Sequence, residues 1–515
     1  MKRVAFSLLV LFVFSFGFAV QAQEKKLNIL YSNDLHAHLE PHIEPWISKT
    51  RPVGGFANIA TIVKREKASN SHTVYFDAGD FFTGPYISTL TKGEAIIDAM
   101  NYLGLDAACV GNHEFDHNWQ NAQAQFAKAK FPILNGNIFV AETGKLVWNN
   151  PYIIKKVNGI RIGIIGLHER FAFYDTTSDE MIRGIDTRDE KEYLRKYVAE
   201  LNGKADIVVL LIHLGIPGTQ STTGEADVVR NHKADIELAK SVPGIDVMIT
   251  GHPHSGIREP IISNGTIIVS TDAYSIELGK LELVYDKKLD KIKSYKNHLD
   301  YLFDDEVPDD PTMVAVIAKW KEKLKVITDE KVTTVTATMT RSYGEESTLG
   351  DMVADAMLAT YPEFDFAVTN SGGLRQDIEA GSVKVGDLIS TFPFPNTIVQ
   401  LEMKGSDMRA IFEHGAGLTN GILQVSKGVE VVYDESEPVG SRIIICKVNG
   451  VPLDDNRTYK MLTSNFLADG GDGFLMFKKT GKYKNTGVEM VQSMITYLKT
   501  FKTYSPKLEG RVRKV

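Results

Sequence analysis

GNHEFD occupies residues 111–116, directly after a short apolar run at residues 107–110. Its polar side chains therefore fall where a buried strand is expected to end and a loop to begin. Ligands bind at that edge in open α/β sheets. Asn112 offers a neutral oxygen to a metal ion, and Asp116 could orient the ring of His113 and raise its proton affinity. A hydrogen-bonded turn explains this stretch equally well on its own, so the residues at other strand ends matter.

A strand followed by a helix recurs along residues 25–300. The continuous apolar run at residues 207–212 is typical of a strand buried on both faces. Apolar residues at helical spacing predict helices at residues 57–68 and 93–103. The pattern predicts an α/β fold. The expected strands are residues 27–31, 73–76, 107–110, 161–167, 207–212, 247–250, 267–270 and 280–285.

Five of these strand ends carry side chains that could bind a metal ion. In an extended segment residues i and i+2 point the same way, so His252 and His254 could face one pocket, as could Asp34 and His36. Oxygen and nitrogen donors without cysteine suit two divalent ions such as zinc, manganese or iron. Any one histidine would more often be structural, so the prediction depends on their joint placement. The candidate ligands are Asp34, His36, Asp80, Asn112, His213, His252 and His254, with Asp80 as the bridge.

Two divalent ions a few ångströms apart would suit phosphoester hydrolysis. Such ions generate hydroxide from bound water near neutral pH, polarise the phosphoryl oxygens and position the ester for in-line attack. His113 lies beside a candidate ligand without being needed as one. It could protonate the leaving oxygen or stabilise the transition state, with Asp116 holding its ring.

A second unit follows a predicted connecting helix. Asp310 can cap a helix that has Pro311 at its first position, and apolar residues then share one face toward Thr328. Histidine usage also changes, since eleven of the thirteen histidines precede residue 255. The expected divisions are a first domain at residues 25–300, a linker helix at 309–330 and a second domain at 331–515.

Two features of the second domain could bind substrate. In NSGGLR, residues 370–375, glycines that permit close approach sit beside Arg375, a cation suited to phosphate or carboxylate. Phe394 and Phe466 lie in predicted loops, where two rings could sandwich a planar base, and Asp472 could accept hydrogen bonds. On these residues alone, a glycine turn with a surface arginine and ordinary core packing of the rings are the favoured explanations.

The N-terminus and the composition limit the classes of function. Lys2 and Arg3 precede an uncharged run at residues 4–20, which predicts a signal peptide at residues 1–22 and a secreted or periplasmic protein without stable membrane insertion. An uncleaved anchor is less favoured because the run is short and interrupted. The net charge is −7, or −9 without Lys2 and Arg3, which disfavours nucleic acid as a partner. The cysteines at 109 and 446 are expected to be buried free thiols.

At these motifs the chain resembles the calcineurin-like metallophosphoesterase superfamily. The matching motifs are DLH at 34–36, GD at 79–80, GNHE at 111–114, His213, and GHPH at 251–254. The resemblance covers most of residues 25–290 and implies a β-sandwich flanked by helices, in the layer order α/β/β/α. It also implies two metal sites: Asp34, His36, Asp80 and His254 for the first ion, and Asp80, Asn112, His213 and His252 for the second.

Residues 112–116 further resemble the secreted 5'-nucleotidases, in which the His and Asp matching His113 and Asp116 form a catalytic dyad. That branch often has an amide where His254 stands, so altered metal preference is expected. Segments of the second domain are similar to the C-terminal α/β domain of the same family. The resemblance implies base stacking by Phe394 and Phe466, nucleoside or phosphate contacts by Asn370, Arg375 and Asp472, and Asn396 near the base.

The sequence departs from that family in one place. ESTLGD, residues 346–351, ends in Asp351 where the family has Asn, and the following helix to Tyr361 lacks the arginines usual there. Because fewer arginines are available to bind phosphate, the number of phosphates on the substrate stays open. The resemblance also implies a large rotation between the domains, with a pivot near residues 310–328.

The expected function is hydrolysis of nucleoside 5'-monophosphates by an exported phosphoesterase that uses two divalent ions, zinc, manganese or similar. A nucleotide-sugar pyrophosphatase or a 2',3'-cyclic-nucleotide phosphodiesterase is the alternative within the enzyme class. A non-enzymatic nucleotide-binding protein with structural metals is the alternative from another class. In every case the partner is a small-molecule nucleotide.

Overall fold

The computed structural model describes residues 24–44, 46–214, 232–418, 421–479 and 483–515. The expected signal peptide at residues 1–22 lies outside the described residues. Among the described residues, no helix combines the length and the apolar character needed to cross a bilayer.

Strands and helices alternate along residues 24–301, as the apolar runs predict. The strands, in chain order, are β1 (Glu24–Ser32), β2 (Thr73–Asp77), β3 (Ala107–Cys109), β4 (Ile133–Leu134), β5 (Ile138–Val140), β6 (Lys145–Leu146), β7 (Tyr152–Val157), β8 (Ile160–His168), β9 (Ile185–Thr187), β10 (Ile207–His213), β11 (Val247–Gly251), β12 (Ile261–Ser263), β13 (Thr266–Val269), β14 (Glu277–Asp286) and β15 (Lys291–Tyr301). The helices are α1 (Phe56–Ser69), α2 (Tyr86–Thr91), α3 (Glu94–Met100), α4 (Trp119–Phe126), α5 (Arg170–Thr176), α6 (Glu190–Leu201) and α7 (Lys233–Ser241).

Two six-stranded sheets of described residues pack face to face. Their orders are β15-β14-β1-β2-β3-β4 and β12-β13-β11-β10-β8-β7. Fully buried side chains such as Ile29, Phe76, Ile164 and Leu211 fill the space between them. Helices α1, α3 and α4 cover the outer face of the first sheet, and α6 and α7 cover that of the second. The expected α/β/β/α order is confirmed.

The parallel centre of each sheet positions the site. Within the first sheet β1, β2 and β3 run parallel, and within the second β8, β10, β11 and β13 do. Their carboxyl ends therefore lie along one edge of the sandwich, which is where polar loops can meet. The sequence did not predict the antiparallel strands β7 and β15, because their alternating or charged residues resemble exposed surface.

The connecting helix is α8 (Pro311–Thr328), and it begins where the sequence predicts. The Asp310 side chain accepts hydrogen bonds from the backbone N–H groups of Thr312 and Met313. The apolar face of α8 packs into the core that α1 and α3 share with the first sheet, and the Trp320 indole donates a hydrogen bond to Asp98 at 2.9 Å. The helix is thus attached to the N-terminal part of the molecule.

The remaining chain forms a second α/β unit. Its strands are β16 (Lys331–Val335), β17 (Phe366–Asn370), β18 (Gly381–Lys384), β19 (Thr397–Lys404), β20 (Leu423–Val425), β21 (Val429–Tyr433), β22 (Ile443–Val448), β23 (Val451–Pro452), β24 (Thr458–Ser464), β25 (Tyr483–Glu489) and β26 (Val512–Lys514). Its helices are α9 (Thr348–Thr360), α10 (Val385–Thr391), α11 (Gly405–Gly417), α12 (Asn465–Ala468) and α13 (Met490–Lys499).

A central sheet, β20-β17-β24-β19-β25, separates two cores in this unit. Helices α9, α10 and α13 pack on one face, while α11 and the sheet β23-β22-β21-β26 pack on the other. Both cysteines, Cys109 in β3 and Cys446 in β22, are buried and unpaired, which confirms that expectation.

Contacts between the described residues of the two α/β units include the following. Near the connecting helix, the backbone N–H of Tyr86 donates to Ser390 Oγ at 2.9 Å, and Thr89 Oγ1 donates to the Pro393 carbonyl at 2.9 Å. Elsewhere, α5 packs against the 3-10 turn Gly471–Gly473. The candidate site lies between the two units.

Candidate active site

Four of the predicted ligands form one group of converging donor atoms. The Nε2 atoms of His36 and His254 are 2.9 Å apart, and the latter lies 3.5 Å from Asp34 Oδ1. His36 Nε2 is 3.8 Å from Asp34 Oδ1 and 3.8 Å from Asp80 Oδ2. These are separations expected of ligands that share one ion.

A second group shares Asp80 with the first. His213 Nε2 lies 3.0 Å from Asp80 Oδ2, and His252 Nδ1 lies 2.9 Å from Asn112 Oδ1. Asp80, His213 and His252 can all reach one point. Because Asp80 belongs to both groups, its carboxylate could serve two ions.

The chemistry of these donors fits two divalent ions. Asp80 Oδ2 and His213 Nε2 are buried and make no hydrogen bond of good geometry with any described residue, although buried polar atoms are normally paired. Carboxylate, amide and imidazole donors without thiolate match zinc, manganese or iron. Burial opposes the charges of both Asp80 and His213. Asp80 nevertheless raises the pKa of His213 to about 10. In turn, His213 and His113 hold the pKa of Asp80 well below its usual range.

The sequence analysis predicted that these side chains converge because they alternate along extended backbone, and this prediction is wrong. Asp34 and His36 have φ values of 51° and 44°, and His252 and His254 have 85° and 53°, so neither pair lies in extended backbone. The side chains converge because the loops after the strands curl in the left-handed region. That conformation costs a non-glycine residue about 1–2 kcal/mol.

Backbone hydrogen bonds between loops hold this strained geometry. The N–H of Asp34 donates to Gly79 O at 2.9 Å, and that of His36 donates to Asp80 O at 2.9 Å. The loop after β1 is therefore tied to the loop after β2. Tyr274, itself at φ 71°, donates its N–H to Asp34 O at 2.8 Å.

Glu114 organises the loops from inside, a role that the sequence did not predict. Its fully buried carboxylate accepts hydrogen bonds from the backbone N–H groups of Asp80, Phe81, Phe82 and Gly111, at 2.6–3.0 Å. A Cβ on Gly111 would collide with the Asp80 carboxylate, so only glycine fits there. The GNHE motif thus fixes the position of the shared carboxylate.

His113 and Asp116 form the expected pair. His113 begins the 3-10 turn His113–Phe115, and its Nδ1 lies 2.8 Å from Asp116 Oδ2. Burial lowers the pKa of His113, but the negative charges of Asp116 and Asp80 outweigh it and the net shift is upward. Its ring centroid is 5.1 Å from that of His36 and 5.6 Å from that of Phe394, so it lies between the metal ligands and the second unit.

All the predicted substrate residues line one cavity of about 240 Å³ together with residues of the metal groups. The second unit contributes the loop that carries Phe394, helix α12, which carries Phe466 where the sequence predicted a loop, and two turns with polar groups. The first unit contributes the turn of His113 and the ends of β2 and β11. The predicted residues around this cavity are Asp80, Asn112, His113, Asp116, His252, His254, Asn370, Arg375, Phe394, Asn396, Phe466 and Asp472.

Short-range contacts shape the polar side of this cavity. Asn370 Nδ2 donates to Asp472 Oδ2 at 2.7 Å, and Asp472 has a left-handed φ of 52°. His414 Nε2 lies 3.0 Å from the Asp472 carbonyl oxygen. A Cβ on Gly471 would collide with the Phe466 ring, so this glycine lets the polar loop pass under the ring.

Two polar atoms that the second unit contributes to the cavity have no hydrogen-bond partner among the described residues. Asn370 Oδ1 and Arg375 Nη2 are buried and have no hydrogen-bond partner. The Arg375 guanidinium carbon lies 5.9 Å from the centroid of the Phe394 ring. Burial opposes the charge of Arg375, yet its pKa is raised by the phenolic groups of two tyrosines and by Asp80 and Asp116, which places this cation near the metal ligands.

Sequence reasoning missed several residues of the site. The Tyr274 ring lies 5.6 Å from that of His36 and 5.3 Å from that of His254. Arg341 donates a hydrogen bond to the Arg375 carbonyl, so a second arginine arrives from the segment before α9 and not from that helix. Thr176, Ser178 and Met181 line the cavity from the first unit. No motif or spacing marks these residues, because only tertiary contacts bring them here.

Comparison with known proteins agrees with this architecture. Residues 27–256 match the calcineurin-like phosphoesterase model, and residues 325–479 match the model of the 5'-nucleotidase C-terminal domain. The fold and the site are those of a metallophosphoesterase, a metal-dependent hydrolase of phosphoric esters. With both domains present, the chain belongs to the 5'-nucleotidase family.

Individual relatives cover nearly the whole chain. The chain is 29% identical to the snake venom 5'-nucleotidase of Gloydius brevicauda, over 97% of this chain and 90% of that protein. It is 27% identical to a trifunctional nucleotide phosphoesterase of Bacillus subtilis, but spans only 35% of that longer protein. The crystal structure of a 5'-nucleotidase precursor from Thermus thermophilus superposes with a TM-score of 0.82 at 27% identity, covering 95% of this chain and 99% of that one.

Proposed function

We propose that this protein hydrolyses nucleoside 5'-monophosphates to nucleoside and phosphate. The observation that carries the proposal is the single cavity lined both by candidate metal ligands and by Phe394, Phe466 and Asp472. A substrate with a phosphate at one end and a planar base at the other matches this combination. A purely structural metal site would have no need of the aromatic side.

In this proposal Asp34, His36, Asp80 and His254 hold one ion, and Asp80, Asn112, His213 and His252 hold the other. Two bound zinc, manganese or similar ions would activate a water molecule and polarise the phosphoryl oxygens. Asp80 Oδ2 and His213 Nε2 support the assignment, because both are buried and neither makes a hydrogen bond of good geometry among the described residues.

His113 is proposed to hold the proton that the leaving 5'-oxygen takes up. Asp116 Oδ2, 2.8 Å from His113 Nδ1, accepts a hydrogen bond from the N–H group at that nitrogen and fixes the ring. The other nitrogen, Nε2, is then the one that donates to the leaving oxygen. Arg375 offers its unpaired Nη2 to the phosphate oxygens, since arginine forms charge-assisted hydrogen bonds to phosphate.

The nucleoside is proposed to bind through the second unit. Phe394 and Phe466 stack on the base, with Asn396 near its edge, while Asn370 Oδ1 and the Asp472 carboxylate accept hydrogen bonds from the sugar hydroxyls. We expect Phe466→Ala to raise KM for AMP by about tenfold and to leave KM for p-nitrophenyl phosphate unchanged. Equal losses on both substrates would contradict base stacking.

Export and domain division form part of the same proposal. Residues 1–22 are proposed as a cleaved signal peptide, followed by domains at 25–300 and 331–515 with a linker helix at 309–330. The basic start and uncharged run of the sequence support export. Mass spectrometry of the mature protein should find an N-terminus at Gln23, and an intact Met1 in the exported protein would contradict it.

A nucleotide-sugar pyrophosphatase or cyclic-nucleotide phosphodiesterase is the second candidate. Arg341 donates a hydrogen bond to the Arg375 carbonyl, and a second arginine beside Arg375 would suit a substrate with more than one phosphate. The deciding experiment measures phosphate or nucleotide release from AMP, UDP-glucose and 2',3'-cyclic AMP, using metal-stripped and metal-reconstituted protein. Metal-dependent release from AMP at the highest kcat/KM supports the first proposal. Preference for UDP-glucose or the cyclic nucleotide would favour the second, and release from none would favour a binding protein.

A further inference from the structure

The first unit contributes an uncharged wall to the nucleotide cavity. Three of its residues, Thr176, Ser178 and Met181, line the cavity alongside the loops of the second unit. They follow α5, whose start is capped by the Glu169 carboxylate through the backbone N–H groups of Phe171 and Ala172. We refer to residues 176–181 as the α5 turn.

The α5 turn is anchored to the first unit. The Met181 N–H donates to the Ser178 carbonyl at 2.9 Å, and the Met181 carbonyl accepts from the N–H of Trp119 at 3.1 Å. Its backbone position is therefore set by the same unit that carries the metal ligands. Any contact it makes with a nucleoside would couple the two units.

The α5 turn lies against the polar loop that contains Asp472. Helix α5 packs on the turn Gly471–Gly473, and Asp179 forms an ion pair with Lys478 at 3.3 Å. Burial and the nearby Asp472 carboxylate raise the pKa of Asp175 to about 7, which agrees with this proximity. The turn therefore faces the part of the cavity where Asn370 and Asp472 are proposed to bind the sugar.

One hydroxyl of the α5 turn is available for a ligand. Thr176 Oγ1 already donates to the Ala172 carbonyl at 2.5 Å. Ser178 Oγ is buried, yet among the described residues it has no hydrogen-bond partner. An unpaired buried hydroxyl destabilises the folded protein, and a hydrogen bond to a bound polar group would remove that cost.

We propose that Ser178 is a specificity-determining residue, whose hydroxyl hydrogen-bonds a sugar hydroxyl of the bound nucleotide. Met181 supplies an apolar contact beside it. The inference rests on the proposed function. Under this proposal both units contact the nucleoside. The sugar is therefore bound by Ser178 and Asp472 together only when the two units are arranged as in this structure.

The test compares Ser178→Ala with Thr177→Val on three phosphate esters. Thr177 Oγ1 is also buried and unpaired, but Thr177 does not line the cavity, so it is a matched control. We expect Ser178→Ala to lower kcat/KM about three- to tenfold for AMP and ribose 5-phosphate and to leave p-nitrophenyl phosphate unchanged. Thr177→Val should leave all three substrates unchanged, and thermal melting should verify that both variants fold.

Each other outcome overturns the proposal. A loss with AMP but not with ribose 5-phosphate would assign the contact to the base. Equal losses on all three esters, or losses in Thr177→Val as well, would indicate a structural role, and unchanged AMP kinetics would exclude the contact. Failure of the proposed function is distinguishable, because the unsubstituted protein would then release no phosphate from AMP while still hydrolysing another ester.

Discussion

Three neighbouring side chains determine the position of His113. Its Nδ1 is held by Asp116, and its ring lies between a candidate metal ligand, His36, and the Phe394 ring of the second unit. A side chain so placed can act on the leaving oxygen without binding metal.

We expect His113→Ala to lower turnover of a nucleoside monophosphate by about a hundred- to ten-thousandfold, the range of general acid catalysis. Metal content should be unchanged, because the variant keeps every proposed ligand. Turnover and bound metal are measured on the same preparation. Unchanged turnover would remove His113 from the mechanism, and loss of metal would make it a ligand.

Asp351 is a buried carboxylate, and its surroundings predict how the stability of the protein depends on pH. It stands in the departure from the family motif, is only 2% exposed, and neither carboxylate oxygen has a hydrogen-bond partner among the described residues. Arg511 Nε lies 3.6 Å away, but that guanidinium is already bonded to Asp355 and Glu509. Burial raises the pKa of Asp351 to about 8; Arg511 opposes the shift and Glu346 adds to it.

This upward shift implies that Asp351 destabilises the fold at high pH. The folded protein keeps the proton up to about pH 8, whereas the unfolded chain loses it near the usual value of about 4. Stability therefore falls as pH rises between these values. Asp351→Asn removes the charge, so we expect it to melt at a higher temperature than the unsubstituted protein at about pH 9, with little difference at about pH 5.

The matched control is Asp355→Asn. Asp355 bonds Arg511 at 2.8 and 2.9 Å, so its substitution should lower the melting temperature at about pH 9. A higher melting temperature for both variants would instead indicate a general relief of negative charge. No gain from Asp351→Asn at high pH would contradict the argument for Asp351.

At the scale of elements, α8 connects the two units and is fixed at its start. The Asp310 carboxylate caps the first turn through the N–H groups of Thr312 and Met313 and pairs with Lys64 at 2.6 Å. Its buried face contributes Met313 and Trp320 to the core of the first unit. Any rotation between the units must therefore take place after this helix begins.

We expect Asp310→Ala to lower the free energy of unfolding of the first unit by about 1 kcal/mol, the usual value of a helix N-cap. Denaturant titration measures it. The control is Asp309→Ala, since the neighbouring exposed Asp309 does not cap the helix. Equal losses in both variants would show that charge near the helix start, and not capping, is responsible.

The loops after the strands are the elements that the sequence describes least well. Asp34, His36, Asp80, His252 and His254 all have positive φ, which residue type does not signal. Their geometry depends on hydrogen bonds between loops and on the buried Glu114 carboxylate. The sequence could therefore identify candidate ligands, but it assumed the wrong backbone conformation for them.

At the scale of the whole molecule, the candidate ligands come from both sheets of the sandwich. Asp34, Asp80 and Asn112 follow strands of the first sheet, and His213 and His252 end strands of the second. Ions bound here would connect the two sheets. Metal binding should therefore contribute to stability as well as to catalysis.

We expect chelation to abolish activity and to lower the melting temperature, and zinc or manganese to restore both. A ligand present at a hundred times its Kd stabilises the folded state by about 2.7 kcal/mol. The response is measured by thermal melting of stripped and reconstituted protein. His213→Ala should lose this response, whereas Phe466→Ala should keep it, and an equal response in both would place the stabilising ion elsewhere.

The sequence by itself determined the class of fold, the identity of the metal-binding candidates and the pair of His113 with Asp116. These depend on local patterns: apolar runs define strands, and donor side chains follow them at short distances along the chain. Only the tertiary structure decided that Phe394 and Arg375 meet the same cavity as Asp80, and that Ser178 joins them. Such contacts join residues far apart in sequence, so they depend on how the two units pack, which no local periodicity records.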